Sequence, residues 1–319
     1  MKSLPPNPWP WREGSVVVIL LLSLGWLGLA APSFFKPAAL WPWLTSVAPV
    51  LLIATGMFFV IVGRQIDISV GSQFAWCSVL AGEAASAGWP WPGILASALL
   101  AGLALGALNG LLVAGFKLPS IVVTLATMVT LRESLRAWRE GEFVRDLPDS
   151  FQWFGLGQSL GQCWVIAATL LLWMILWIAS VRLSVFRWVY AVGSNAEAAR
   201  LAGLRPARIT FGLFAFMGLL TGLAATLNAV RFTDVDPKTG AGLELQAIAA
   251  VVVGGVSISG GRGRLWGVLA GVLLLACLPS ALVFLKWPPH WEKAIQGLII
   301  LTAVAAEGVH RARSRGRED

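Results

Sequence analysis

The chain has 319 residues, 57% hydrophobic and only 13% charged, with a formal net charge of +8. Soluble domains carry roughly 25% charged residues, so this composition excludes an ordinary water-soluble enzyme or binding domain and makes the bilayer the solvent. The basic excess in so apolar a chain fits loops facing anionic lipid, and nucleic acid is not an expected partner.

Ten apolar runs follow in chain order, at 15–31, 44–62, 68–87, 93–115, 119–137, 161–180, 208–230, 243–259, 265–285 and 291–308. Each approaches the ~20 residues that cross a hydrocarbon core. The expected fold is all-α, a polytopic transmembrane bundle forming one domain over 1–319. The runs 68–87 and 243–259 are short or glycine-rich and read as broken or re-entrant helices. The first run ends near Ala30 and Ala31, like a signal peptide, but it is longer than a usual signal core and is expected to stay as the first helix.

Loop charge orients the bundle. With the N-terminus inside, the inner loops hold Arg64, Lys117, Arg182, Arg187, Arg200, Arg205, Arg208, Arg262 and Arg264. The main outer loop, 138–160, carries Glu140, Glu142, Asp146 and Asp149 against Arg139 and Arg145. Both termini and the loop 181–207 are therefore expected in the cytoplasm. Trp9, Trp11, Trp41, Trp43, Trp89, Trp91, Trp287 and Trp291 cluster at run ends, where an indole sits half wet among headgroups. Stacking against a sugar is the weaker reading. Cys77, Cys163 and Cys277 have no metal or redox spacing and read as small core residues, so no metal site is expected.

Polar motifs interrupt the runs. IDISVGS contains Asp67, Ser69, Gly71 and Ser72 at the expected inner face; Asp67 suits a helix cap and Gly71 a close helix contact. Asn109 is a buried amide that needs a partner. In LPSIVVTLATM, Thr124 and Thr127 share a helix face and can bind a solute or bond back to their own helix. With Asn228 and Gln246 they are the polar residues within runs that can face a solute path. Glu83 and Glu244 are expected near the outer ends, within reach of a vestibule. The segment GGVSISGGRG, with Gly254, Gly255, Gly260 and Gly261, is no phosphate loop, because no Lys-Ser/Thr follows its last glycine.

The segment 189–204, VYAVGSNAEAARLAGL, is polar and helix-favouring. Asn195 suits an N-cap, Glu197, Ala198, Ala199 and Arg200 suit a short helix, and Gly203 suits its end. Read on these residues alone, it is a surface loop obeying the positive-inside rule or a docking surface.

In this order and spacing, IDISVGS, LPSIVVTLATM, YAVGSNAEAARLAGL and LELQAIAAVVVGGVSISGGRG resemble the permease subunit of bacterial ABC importers for simple sugars, the ribose-type branch, over about 44–308. The segments WREGEFVRDLPDSF and FLKWPPHWEKAIQGLIILTAV are most similar to its autoinducer-2 or rhamnose permeases. The resemblance implies an inverted repeat like that of vitamin B12-type importers, relating spans two to five to spans seven to ten. It implies a second permease chain, an ATP-binding cassette ATPase dimer and an extracytoplasmic sugar-binding receptor as partners. No cofactor is then expected on this chain, with ATP-Mg on the ATPase, and Asn195, Glu197, Ala198, Ala199, Arg200 and Gly203 are the expected coupling residues. A secondary transporter acting alone would want an embedded ion-coupling carboxylate or histidine; His290 and His310 fall outside the runs and leave Glu83 as its candidate. An intramembrane enzyme would want a nucleophile or metal cluster, which the sequence does not display.

Overall fold

In the computed structural model the described residues are 10–288, 290–299, 301, 302 and 305. Trp9, both termini, His310 and the end of the run 291–308 lie outside them.

The chain is an all-α polytopic membrane bundle. Helices run α1 Pro10–Ala30, α2 Pro37–Val62, α3 Val70–Ser86, α4 Trp91–Gly110, α5 Ser120–Arg139, α6 Gln158–Arg182, α7 Ser184–Ser194, α8 Ala196–Leu201, α9 Pro206–Ala229, α10 Leu243–Val253 and α11 Leu265–Phe284. The residues 291–299 are helical again. Five of these are long and apolar enough to cross a membrane: α2, α4 with its extension to Gly115, α6, α9 and α11. Proline opens α2, α4 and α9 in their first turn, where its missing N–H costs nothing.

Helix α2 is the axis. Its most apolar stretch is 94% buried, against 22% for α6, which shows its apolar side chains to lipid. Cys163 on α6 is exposed, so the expectation of a core cysteine holds for Cys77 and Cys277 but not for this one. The tightest crossing joins α4 to α9. Gly102 and Gly106 lie against the carbonyls of Gly218 and Phe214, and Gly222 against that of Ala98. Small residues four apart on both helices bring the backbones into contact, the device that joins helices where lipid offers no hydrophobic drive. Gly254 and Gly271 do the same between α10 and α11.

Two non-helical segments enter the bundle from opposite ends. The first, 63–69, climbs beside α5. Ile66 N–H donates to Ser120 Oγ at the start of α5, and Ser72 Oγ donates to the Met128 carbonyl two turns further on. Eight residues of helix rise about 12 Å, so α3 begins well inside the bundle. The second, 231–242, leaves the far end of α9. Val235 pairs with Val144 and lies against Gly82 near the end of α3. Gly240 then lies against Gly71, eleven residues and about 16 Å back along the same helix. Helix α10 therefore also starts inside the bundle and is a half-helix of 11 residues. The two segments meet at Gly71 and Gly240, an arrangement that an inverted repeat would give.

Candidate functional site

The first segment closes on itself. Asp67, Ser69, Gln73 and Asn109 are fully buried. Asp67 Oδ1 accepts from the Ser69 N–H at 2.9 Å and from its hydroxyl at 2.6 Å, and Oδ2 accepts from Gln73 Nε2 at 3.2 Å. Asn109 Nδ2 donates to Ser69 Oγ and Thr127 Oγ donates to Asn109 Oδ1, each at 2.8 Å. Thr124 bonds back to the Ser120 carbonyl. The expectation for Asp67 is a helix cap at the inner face. It does accept the Ser69 N–H at the start of α3, and it is also the hub of an interior knot joining α3, α4 and α5, because the loop that carries it turns inward.

The second segment leaves space. A cavity of about 460 Å³ opens at the start of α10, bounded by Asn228 in the last turn of α9, Arg231 just beyond it, Gln246 on α10, and Glu292, Lys293 and Gln296 on the 291–299 helix. Arg231 donates to Asn228 Oδ1 at 3.3 Å, and Gln296, 6% exposed, donates from Nε2 to Glu292 Oε1 at 3.0 Å. Of the five polar residues expected on a solute path, Asn228 and Gln246 come together here, while Asn109 and Thr127 belong to the Asp67 knot and Thr124 bonds to backbone carbonyls beside it. Glu244 is not at an outer vestibule. Its carboxylate accepts from the Gly242 N–H and turns toward Gly71 in the bundle interior. Glu83 pairs with Arg139. Trp43 and Trp91 also depart from simple headgroup anchoring, since their indoles donate to the Ala276 and Ser150 carbonyls.

At the opposite end of the bundle from Val235, α7 and α8 form a compact unit. Asn195 Oδ1 accepts from the Glu197 and Ala198 N–H groups, each at 3.0 Å, and so caps α8. Gly203, at φ +87°, ends it; the Leu204 N–H returns to the Ala199 carbonyl. Ala199 is buried and turns inward, while Glu197 and Arg200 stand exposed and paired at 2.6 Å. The guanidinium holds the Glu197 carboxyl below the usual carboxylate range. Behind this face the unit is braced. Gly193 lies against the Val62 carbonyl, the Gly261 N–H donates to that same oxygen at 2.8 Å, and Tyr190 Oη donates to the Gly263 carbonyl. Gly255, Gly260 and Gly261 all have positive φ, and Gly260 lies against Arg64 while Gly261 lies against Ser194. The glycine-rich segment is thus the turn between α10 and α11 that locks α7 onto the end of α2.

A family model described as the permease component of the branched-chain amino acid transport system matches residues 40–304. The chain belongs to this permease family. It is similar to the autoinducer 2 import system permease protein of Enterobacter sp. (strain 638), 35% identical over 309 residues, 97% of this chain and 89% of that protein. It is 36% identical over 305 residues to the L-arabinose ABC transporter permease protein of Azospirillum brasilense, covering 95% of this chain and 89% of that protein. It is 31% identical over 306 residues to the ribose import permease protein of Escherichia coli (strain K12), covering 94% of each. No solved structure matches the chain. As a permease of this family, with apolar helices to match, it is a multi-pass inner-membrane transport subunit and not an enzyme.

Sequence reasoning did not reach Gln73, Arg231, Glu292, Lys293 or Gln296. The last three sit at the start of the run 291–308, which is expected as a span, and only tertiary packing sets them beside Asn228. Gln73 had a local signal, a long amide one turn past Ser69 in a run that is otherwise small and apolar.

Proposed function

We propose that the chain is the membrane-spanning subunit of an ATP-driven importer for a monosaccharide or a similar small polyol, with α8 as the contact through which a separate ATPase acts. The observation that carries this is the α7–α8 unit. It presents a short capped helix with an exposed ion pair on one side and is held rigidly on the other to α2, the most buried helix of the bundle. A helix that only decorated a loop would not need glycine-to-backbone contact with the bundle's axis. Force applied to Glu197 and Arg200 would pass through Gly193 into α2 and, through Gly261, into α10 and α11.

The chain has no phosphate loop of its own, so ATP-Mg belongs on the partner. An ATP-binding cassette dimer, a second permease chain and an extracytoplasmic receptor complete the assembly. The concentration of Arg64, Arg187, Arg200, Arg205, Arg262 and Arg264 around α7, α8 and the glycine turn favours the cytoplasm for that end, with ten spans and both termini on that side. The relatives named for autoinducer 2, L-arabinose and ribose support the substrate class.

Charge reversal tests the contact. Glu197→Arg and Arg200→Glu should each reduce co-purification of the ATPase and ATP-dependent sugar uptake, with the permease still present in the membrane. Unchanged uptake and unchanged co-purification in both variants would refute the assignment of α8.

A further inference from the structure

We propose that the cavity at the start of α10 is a binding site for one small, hydroxyl-rich solute, held by Asn228, Gln246 and Gln296 with Arg231, Glu292 and Lys293 around them. The proposal rests on the transport reading above and adds to it a place and a chemistry. At about 460 Å³ the cavity falls within the ~300–1,000 Å³ of small-molecule sites. Its polar groups come from three separate elements and converge, which a packing defect between helices would not produce. Gln296 is nine-tenths buried at the cavity wall and its amide is already oriented by Glu292. Arg231 is oriented by Asn228 in the same way.

The donor and acceptor set selects the ligand. Amides offer a donor and an acceptor side by side, matching adjacent hydroxyls that each give and take a hydrogen bond. Both signs of charge are present, Arg231 and Lys293 against Glu292, so the site is neither a simple anion nor a simple cation trap. Pro49, Val50 and Leu243 supply an apolar wall for the C–H face of a ring. A half-helix starting at mid-depth beside a polar cavity is how other membrane transporters hold solutes.

Protection from alkylation tests this on the full chain in nanodiscs. Cys77, Cys163 and Cys277 are replaced by Ala, and Ala241→Cys, at a lining position that offers the ligand no side-chain hydrogen bond, provides the reporter. Ribose and L-arabinose are the probes. At ligand ten times its Kd, occupancy should slow alkylation by N-ethylmaleimide roughly tenfold, and adding Gln296→Leu should abolish the protection. Saturation-transfer NMR of the same sugars on the native sequence and on Gln296→Leu gives a readout that does not depend on the cysteine variant; signal should appear in the first and fall several-fold in the second. Equal alkylation with and without either sugar, together with equal NMR signal from native and Gln296→Leu protein, would overturn the site. If ATP-driven uptake by the assembled importer persists in that case, only the site fails. Absence of such uptake by the native assembly would instead count against the transport reading.

Discussion

The segments 63–69 and 231–242 do the same thing with the backbone and opposite things with side chains. Each leaves the end of a long helix, runs without helical bonds into the bundle, and starts a new helix near the contact of Gly71 with Gly240. Backbone at that depth survives only where protein or a water-lined cavity surrounds it. The first segment takes the protein solution: Asp67, Ser69, Gln73, Asn109 and Thr127 fill the space and join one hydrogen-bonded network. The second takes the cavity solution: Gly240, Ala241 and Gly242 leave volume, and the polar groups around it stand back along the walls. Half of the bundle is thereby anchored and half is left able to hold something. Disturbing the knot should cost stability, and disturbing the cavity should cost transport.

The largest effect expected is at Asp67. Asp67→Ala leaves the Ser69 N–H and the Ser69 hydroxyl facing a void and takes one of two acceptors from the Gln73 amide, at a cost of about 1–3 kcal/mol for each buried group left unsatisfied. It should appear as a large fall in thermal midpoint in detergent, or as protein that does not accumulate. Next comes the joint between the segments. Gly71→Ala places a methyl against the Gly240 carbonyl and the Glu244 carboxylate, and overpacking of this kind costs about 1–3 kcal/mol. Because it displaces both segments, it should lower the melting point and uptake together, where an effect on one alone would show that the segments are not mechanically joined.

Asn228→Leu should reverse the Asp67 pattern. Its amide borders open space, so thermal stability should change little while sugar uptake falls roughly tenfold, the scale of one or two lost hydrogen bonds to a ligand. A destabilisation as large as that of Asp67→Ala would erase the contrast between the two segments. The smallest effect is at α8. Glu197 has its carboxyl held below the ordinary range by Arg200, so the ion pair helps the folded helix above the unfolded carboxylate value and loses that contribution as pH falls through the depressed folded one. Both side chains are well exposed, and the shift should register only as lower amide protection factors, exchange rates being divided by their intrinsic values at each pH, within Ala196–Leu201 on acidification. Protection that rises instead would contradict the sign.

Much of this architecture is legible in the sequence because it is local. Asn195 followed by AEAARL and Gly203 spells a short helix with both ends marked, and it forms with those caps. Apolar runs mark where helices lie, and the short run near 243 announces a helix too short to span. What escaped reading is set by distant partners. Asp67 has the chemistry of a cap, and nothing nearby in sequence says that Asn109 will close over it. The cavity draws on residues near 228, 246 and 296, which only folding brings together. Cys163 looks like its two buried counterparts in sequence and differs because α6 lies at the rim of the bundle.

The central claim, that ATP hydrolysed on another subunit drives solute through this chain by way of α8, is tested most directly by reconstitution. Proteoliposomes would contain the permease alone, the permease with its ABC ATPase and receptor, or that assembly with Glu197→Arg, and radiolabelled ribose and L-arabinose uptake would be followed with and without ATP. The account predicts uptake only in the complete assembly with ATP, and its loss in the Glu197→Arg assembly. Sugar accumulation by the permease alone, unaffected by ATP, would contradict it.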